Sequence, residues 1–559
     1  MKKTLLLLFF VTKFCLCGMA QWVTVADANF VNWLDTSGFH QCLNGNLLDT
    51  TSLFVINTHK LNIEQKIPCG NGCYTYASNI YSLDGIQYFH SLDTLRCIHG
   101  LFSSLPRLPE HLKFLDCSYN KLTGLPALPD SLTMLACHGN LLNSLPPLPG
   151  NLISLSIDQN KFTTVPNLPI GLKFFSCGTD SLTSLPSLPD SLRYLNCGGN
   201  MLTSLPQLPN TLRTLYCNNN QLSSLPILSG PLNSLYCSSN PLVNLPALPD
   251  SLTSLVCDGC SLTSLPSLPN SLVTISCMAN FLTSLPALPS SLDRLVCVGN
   301  QLASLPTLPN RVTYIWCCVN NLTSLPALPN SLKTLLCNEN SIVSLPALPD
   351  SLTFLDCDHN PISSLPTLPV TLNTLWCFNN LLTSLPDLPA ALRTLSCSAN
   401  LLNSIPELPD SLTTLYCDSN PNLHCLPDLK LVTSLQFDTL SIYCLPHHKP
   451  LMFPIYVRHF PLCDTMAINP CLALSVPDIQ SSTFNIYPNP ASNSVTITID
   501  ETMLNSTATI TDITGKKMAA AQLQTLNYKL ETSAFSNGVY FISIENERGR
   551  VTKKLVIQK

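Results

Sequence analysis

The sequence predicts a repeat solenoid followed by a small, separate all-β domain, and three observations carry that reading. The pattern L-x-x-L-x-C-x-x-N-x-L recurs with a period of 20 residues that does not drift. Its first leucine falls at Leu92, Leu112, Leu132 and onward to Leu412, with Val312 standing in once and Val432 closing the series, which makes 18 rungs from 92 to 432. A fixed period in this range means stacked turns, one strand per turn. Each unit is followed by x-x-L-P-x-L-P, which cannot be helix because every proline removes an N–H and fixes φ. From Phe484 the leucine-proline units vanish, and alternating segments such as SVTITID and GVYFISIE read as strands.

The chain opens with Lys2 and Lys3, an apolar run from Thr4 to Val11, and Gly18-Met19-Ala20 before Gln21. Residues 1–20 therefore read as a signal peptide cleaved after Ala20. Cys17 raises a lipid-attachment alternative, but Phe14-Cys15-Leu16 lacks the small residues that attachment wants. No later run approaches the roughly 18 apolar residues of a membrane helix, so the mature chain is expected to be exported, monomeric and free of transmembrane segments. Export also makes disulfides permissible. Charged residues make up only 11% and the net charge is -5. A nucleic-acid binder would show a basic face, and the sequence offers none.

Residues 21–79 are out of register with the repeat and read as an N-terminal cap, needed because an end turn would expose its apolar interior. Phe30, Val31, Trp33 and Leu34 have helical spacing within Val25 to Gly38. Cys42, Cys69 and Cys73 also lie here; one disulfide among the three is expected, with the pairing open.

In residues 80–445 the first leucine, the fourth-position leucine and the sixth-position cysteine point inward, while the intervening strand residues point outward. Asparagine recurs at 14 of 17 positions between 100 and 420, with Gly100, Asp180 and Cys260 as exceptions. Its carboxamide both donates and accepts, so stacked copies can satisfy the buried backbone of the bend. Cysteine fills the sixth position in 16 of 18 turns, with Ile157 and Phe437 replacing it. Apolar replacements mark a core position, and parallel strands about 4.8 Å apart suit neither bridging disulfides nor a tetrahedral metal site. Buried neutral thiols are expected, with no metal and no cofactor. The proline leg is expected to be extended, its leucines turned inward.

After Asn420 the register slips. Cys425 and Cys444 precede Leu-Pro on neighbouring turns and could bridge, with Cys463 and Cys471 as a second candidate pair. Residues 446–483 read as a C-terminal cap and linker, with His447 and His448 in a solvated turn.

The unit LTSLPALPDSLTxLxCxxNxL resembles the LPX-type bacterial leucine-rich repeats of secreted effectors and surface proteins. That resemblance implies a horseshoe with a parallel sheet on its concave face and an extended convex side. Some such effectors add a helical ubiquitin-ligase domain, and nothing in this sequence resembles one. Residues 484–559 resemble the C-terminal sorting domain of the type IX secretion system, through Ile486-Tyr487-Pro488-Asn489-Pro490, Ile513-Thr-Gly515-Lys516, Gly538-Val-Tyr540 and the terminal Lys553-Lys-Leu-Val-Ile-Gln-Lys559. The resemblance implies export across an outer membrane by that machinery, removal of the domain, and either release or attachment to a surface glycolipid.

G-x-S-x-G, H-E-x-x-H, P-loop and dinucleotide patterns do not occur, and the chain is not expected to be an enzyme. Asp356, Asp358 and Asp418 are expected to project from the sheet without opposed partners. The outward strand positions carry Tyr216, Tyr236, Tyr314, Trp316, Phe354, Trp376, Phe378 and Tyr416. Flat strands favour aromatics, but exposed aromatics on a rigid sheet are also the material of binding hot spots. Arg294, Lys333, Asp356 and Asp358 mix both signs around them, which favours a protein or glycan partner over a polyanion. Cys318 is expected to be an exposed thiol. The resulting expectation is an exported protein binding a macromolecule through the concave face, in a role such as adhesion. The alternatives are a host-targeted effector or accessory of an enzyme, and a structural surface-layer component.

Overall fold

A computed structural model of the chain describes residues 21–63, 66–70, 73–76, 79–429, 431–439, 441–442, 484–499, 503–546 and 549–559. The expected signal peptide, His447, His448, Cys444, Cys463 and Cys471 lie outside the described residues, as do the side chains of Cys69 and Cys73. Two compact units appear, Met1–Leu423 with Lys430–Ser441, and His424–Leu429 with Ile442–Lys559.

The first unit is a parallel-sheet solenoid. All 18 rungs contribute a three-residue strand, from Thr94–Arg96 to Ser434–Gln436. They pair in strict register, Leu95 beside Leu115 at one end and Leu415 beside Leu435 at the other. The central residue of each strand, leucine in all but Phe175, Ile275 and Ile315, is buried, and the two flanking residues face the other way. A typical turn buries Leu372, Leu375, Cys377 and Leu382 completely. At roughly 1.5–3 kcal/mol per buried side chain, that interior exists only because each turn covers the next. The proline leg is extended and less enclosed: Leu385 is at the buried edge and Leu388 only half-buried. Its Pro389 carbonyl then accepts from Leu392 N at 3.0 Å, closing the turn into the following strand.

Three side-chain ladders hold successive turns together. Asn320 is representative of the first. Its Nδ2 donates to the carbonyls of Cys297, Cys317 and Cys318 at 3.0, 3.2 and 3.0 Å, and its Oδ1 accepts from Leu302 N at 3.1 Å. The three exceptions each adapt differently. Cys260 Sγ donates to the Cys237 carbonyl at 3.5 Å. At Gly100 a Cβ would clash, 2.5 Å from the Phe102 ring and 2.6 Å from Asn120 Oδ1, so neighbouring side chains take its place. Asp180 keeps only the accepting half, and its other oxygen, Oδ2, is buried without a partner.

The second ladder is the serine or threonine that precedes the first leucine in 11 of the 18 turns. Ser351 Oγ reaches the carbonyls of Asn330 and Leu332, both at 2.7 Å. The third is the cysteine column, whose described members inside the array are all buried and free. Burial pushes the Cys197, Cys277 and Cys397 thiols up to about 12, so the column is neutral at physiological pH. The residue before each asparagine or its replacement is left-handed, as at Val319 (φ 54) and Glu339 (φ 52), with glycine at only four of these sites: Gly139, Gly199, Gly259 and Gly299. Non-glycine residues there are strained, and the bonds of the adjacent asparagine hold the bend in place.

The N-terminal segment does more than cover the end. Its helix, Ala28–Leu34, is capped by Asp27 Oδ1, which accepts from Asn29 N at 2.8 Å and Phe30 N at 3.1 Å. Asp27 Oδ2 accepts from Ser82 N at 2.9 Å, tying the cap to the first turn. Lys60–Asn62 then joins the parallel sheet beside Thr94–Arg96. The antiparallel hairpin Lys66–Gly70 and Cys73–Tyr76 lies between them in sequence, which is why this extra rung escapes the 20-residue register.

In the second unit, Asn485–Tyr487, Ser494–Thr498 and Asn527–Glu531 form one antiparallel sheet. Lys517–Gln522, Thr507–Asp512, Gly538–Asn546 and Gly549–Ile557 form the other. A core including Phe484, Val495, Ile510, Ile542 and Leu555 is buried within this unit. Cys425 is disulfide-bonded. Among the described residues no helix is long and apolar enough to cross a membrane.

Candidate functional site

The solvent face of the parallel sheet is built from the two outward residues of each strand and the second residue after it, past the inward cysteine. The register places Trp316, Leu336, Asp356 and Trp376 in one row across four strands. The two tryptophans are therefore three rungs apart, about 14 Å at the strand spacing. Trp376 is 37% exposed and meets the Phe354 ring edge-on at 5.1 Å. Phe378 packs edge-on against His359 at 5.1 Å, and Arg294 lies 4.1 Å above the Tyr314 ring.

Between these rings sits a carboxyl pair that the sequence pattern did not imply. Asp356 and Asp358 are both buried, and Asp356 Oδ1 accepts from Asp358 N at 3.3 Å. Burial, and then the neighbouring Asp358 charge, pushes the Asp356 carboxyl up to about 8. Asp358 Oδ1 is bonded to His359 Nδ1 at 2.8 Å. Asp418 is likewise partnered, by the Ser398 hydroxyl. The expectation of carboxylates without partners is corrected on all three residues: the left-handed bend brings neighbouring columns within reach of each other.

Cys318 is a second correction. It lies on the outer face as expected but is only 3% exposed, because adjacent turns cover it, and its Sγ donates to Asn338 Oδ1. Burial pushes this thiol up to about 12.

The eight expected aromatics do not form one surface. Tyr216 and Tyr236 stack at 4.3 Å, continuing through Tyr194 to Phe174. The small outward residues of Ser254–Val256 and Thr274–Ser276 separate that ladder from Tyr314, Trp316, Phe354, Trp376 and Phe378. Tyr416 stands apart, its hydroxyl 3.2 Å from Ser434 Oγ.

Two polar networks near the N-terminal end were not anticipated. Ser118 Oγ bonds both Asp116 Oδ1 (2.7 Å) and His138 Nδ1 (2.9 Å). The serine is buried and the carboxylate meets it directly instead of orienting the imidazole, so this is not a nucleophile arrangement. The second network centres on Asp158 and lines a cleft. The signal that would have revealed it is the replacement of outward side chains by Gly178, Gly198 and Gly199.

The structure of YopM from Yersinia enterocolitica WA-314 is similar to this chain, with 33% identity and a TM-score of 0.56 over 68% of this chain and 92% of that one. This chain belongs to the leucine-rich-repeat family. Within the solenoid, residues 190–230 of this leucine-rich-repeat protein match a model described as Leucine Rich repeats (2 copies). YopM from Yersinia pestis is also similar, with 33% identity and a TM-score of 0.48 over 60% of this chain and 86% of that one. A Leptospira interrogans leucine-rich-repeat protein shows 24% identity and a TM-score of 0.45 over 59% and 92%. No curated protein matches.

Residues 485–558 match the family described as the secretion system C-terminal sorting domain. Type IX secretion thus delivers this leucine-rich-repeat protein to the cell surface or the extracellular space. Within that domain Asn489 Nδ2 donates to Lys554 O and its Oδ1 accepts from Val556 N, both at 2.8 Å, clamping the last strand. Gly515 (φ 82) closes the turn in which Asp512 Oδ1 accepts from Thr514 N and Lys516 N. The Thr514 hydroxyl, donating to the same oxygen at 2.6 Å, and then those two amides hold the Asp512 carboxyl below its usual range. Tyr540 is buried against Phe535, and its hydroxyl donates to Ser536 O at 3.0 Å. Tyr487 differs from these, with 78% of its surface exposed.

Proposed function

We propose that this is an exported interaction protein that docks a protein partner on the solvent face of its sheet, over turns 314 to 378. The observation that carries the reading is Trp376, exposed and braced by Phe354 beside the buried Asp356–Asp358 pair. A rigid aromatic ring costs little ordering entropy on binding, and tryptophan is among the residues most enriched at hot spots. Arg294, over Tyr314, and the acidic pair three strands along give the face mixed charge, which suits a folded protein surface better than a polyanion. Tyr487, on the sorting domain, is the exposed group of its motif and the contact assigned to the secretion machinery.

The test is an array of extracellular proteins probed with the labelled chain and with the Trp316→Ala, Trp376→Ala double variant. Proteins captured by the parent should be lost with the variant, a weakening of about tenfold or more for a hot-spot pair. Equal capture by both removes the assignment.

A further inference from the structure

A cleft of about 540 Å³ lies on the same sheet face, several turns away from the tryptophans, between Tyr119 at one end and Tyr216 at the other. That volume falls in the range of small-molecule sites. The two rings belong to turns five strands apart, so the cleft is a trough about 24 Å long running across the strands.

Its floor is built, not accidental. Asp158 Oδ1 accepts from Ser176 Oγ at 2.5 Å, Gly178 N at 2.7 Å and Asn196 Nδ2 at 3.1 Å, while Oδ2 accepts from Ser156 Oγ at 2.8 Å. Asn196 Oδ1 in turn accepts from Gly198 N at 3.1 Å. The trough is hollow because outward columns carry glycine here. A Cβ at Gly178 would come within 3.0 Å of Gly198 O, and one at Gly198 within 3.0 Å of Asn218 Oδ1.

The chemistry of the lining selects the ligand. Lys and Arg are absent from it, and its one imidazole, His138, is engaged by Ser118 Oγ through Nδ1, so the lining holds no fixed cation for an anion. Its carboxylate is already saturated by four donors, which leaves no ligand for a cation. Gln159, Asn218 and Asn219 line the cleft, and their side chains make no hydrogen bond among the described residues. Three carboxamides offer paired donors and acceptors, and the tyrosines supply apolar walls. A neutral chain of hydroxyl groups satisfies such a lining; an apolar peptide side chain finds no pocket in it. We infer that the trough between Tyr119 and Tyr216 binds a neutral linear oligosaccharide, independently of the docking surface around Trp376.

The experiment is calorimetric titration of the full chain with neutral tetrasaccharides of the cellulose, xylan, mannan, starch and chitin types, and with an oligogalacturonate as the anionic control. At least one neutral sugar should bind and the oligogalacturonate should not. The double substitution Gln159→Ala, Asn218→Ala, at an exposed and a half-buried position, should weaken binding by at least about tenfold without moving the unfolding midpoint. Trp316→Ala with Trp376→Ala should leave sugar binding intact, which separates this site from the protein-docking surface. Failure of all five neutral sugars to bind, equal binding of the oligogalacturonate, or unchanged binding by the Gln159/Asn218 variant would each overturn the inference.

Discussion

Replacing Asp180 by asparagine should stabilise the array, and should do so most when the native aspartate is ionised. Every other asparagine in the ladder donates to two sixth-position carbonyls, its own turn's and the previous turn's. At Asp180 the carbonyls of Ile157 and Cys177 each keep one donor, Asn160 Nδ2 at 2.8 Å and Asn200 Nδ2 at 2.8 Å, and lack the second. Burial pushes the Asp180 carboxyl up to about 7. Its folded value thus lies above the unfolded one, so the stability that protonation gives is complete below about pH 3.8 and is lost as pH rises through about 7. Two restored bonds at about 0.5–1.5 kcal/mol each give Asp180→Asn a gain of roughly 1–3 kcal/mol at pH 8. At pH 5 the protonated aspartate can itself donate one of them, and the gain should fall by about half. Hydrogen exchange at the Asn160 and Phe162 amides, which Asp180 Oδ1 accepts, reads this locally without assuming two-state unfolding of a long array. Their protection should rise by about fivefold to a hundredfold at pH 8 and less at pH 5. A variant-to-parent ratio that is the same at both pH values, or a loss of protection, would refute the titration and the donor count together.

Asn320→Ala removes three donated bonds and strands the buried Leu302 amide, so a loss of about 2–4 kcal/mol is expected; a denaturant midpoint that barely moves would contradict it. The ladder thiols should react with Ellman's reagent more than about a thousandfold slower in the folded chain than after unfolding, since the thiolate is the nucleophile; rapid stoichiometric labelling of Cys197, Cys277 or Cys397 would disprove their burial. In the sorting domain, Asn489→Ala should lower stability by about 1–2 kcal/mol and reduce export. Tyr487→Ala should reduce export with its melting unchanged, and full export of that variant would remove Tyr487 as a recognition group.

Much of the solenoid was legible because its period and its burial come from the same residues. The leucines fix the turn, the asparagine marks the bend, and the apolar replacements Ile157 and Phe437 correctly mark the cysteine column as interior. What stayed hidden depended on side chains meeting across turns. Cys318 reads as exposed until its neighbours are placed over it, and Asp356 reads as isolated until the bend turns Asp358 toward it. The extra strand Lys60–Asn62 was masked by the hairpin inserted after it. The trough around Asp158 carries no large aromatic signal in its outward columns; its mark in the sequence is the small residues Gly178 and Gly198. The aromatics themselves were located, but the small residues from Ser254 to Ser276 that divide them carry no marking of their own.

The shared asparagine also bears on how such a chain can change length. Each carboxamide serves two adjacent coils with the same offsets, so a cut and rejoining at equivalent positions in any two coils that carry the asparagine restores its bonds across the seam. Gene duplication or loss in whole multiples of 60 nucleotides therefore leaves the interior intact and alters only the reach of the outer wall. A change by any other multiple of three strands an amide inside, which makes the repeat number the easiest property of this molecule for evolution to vary.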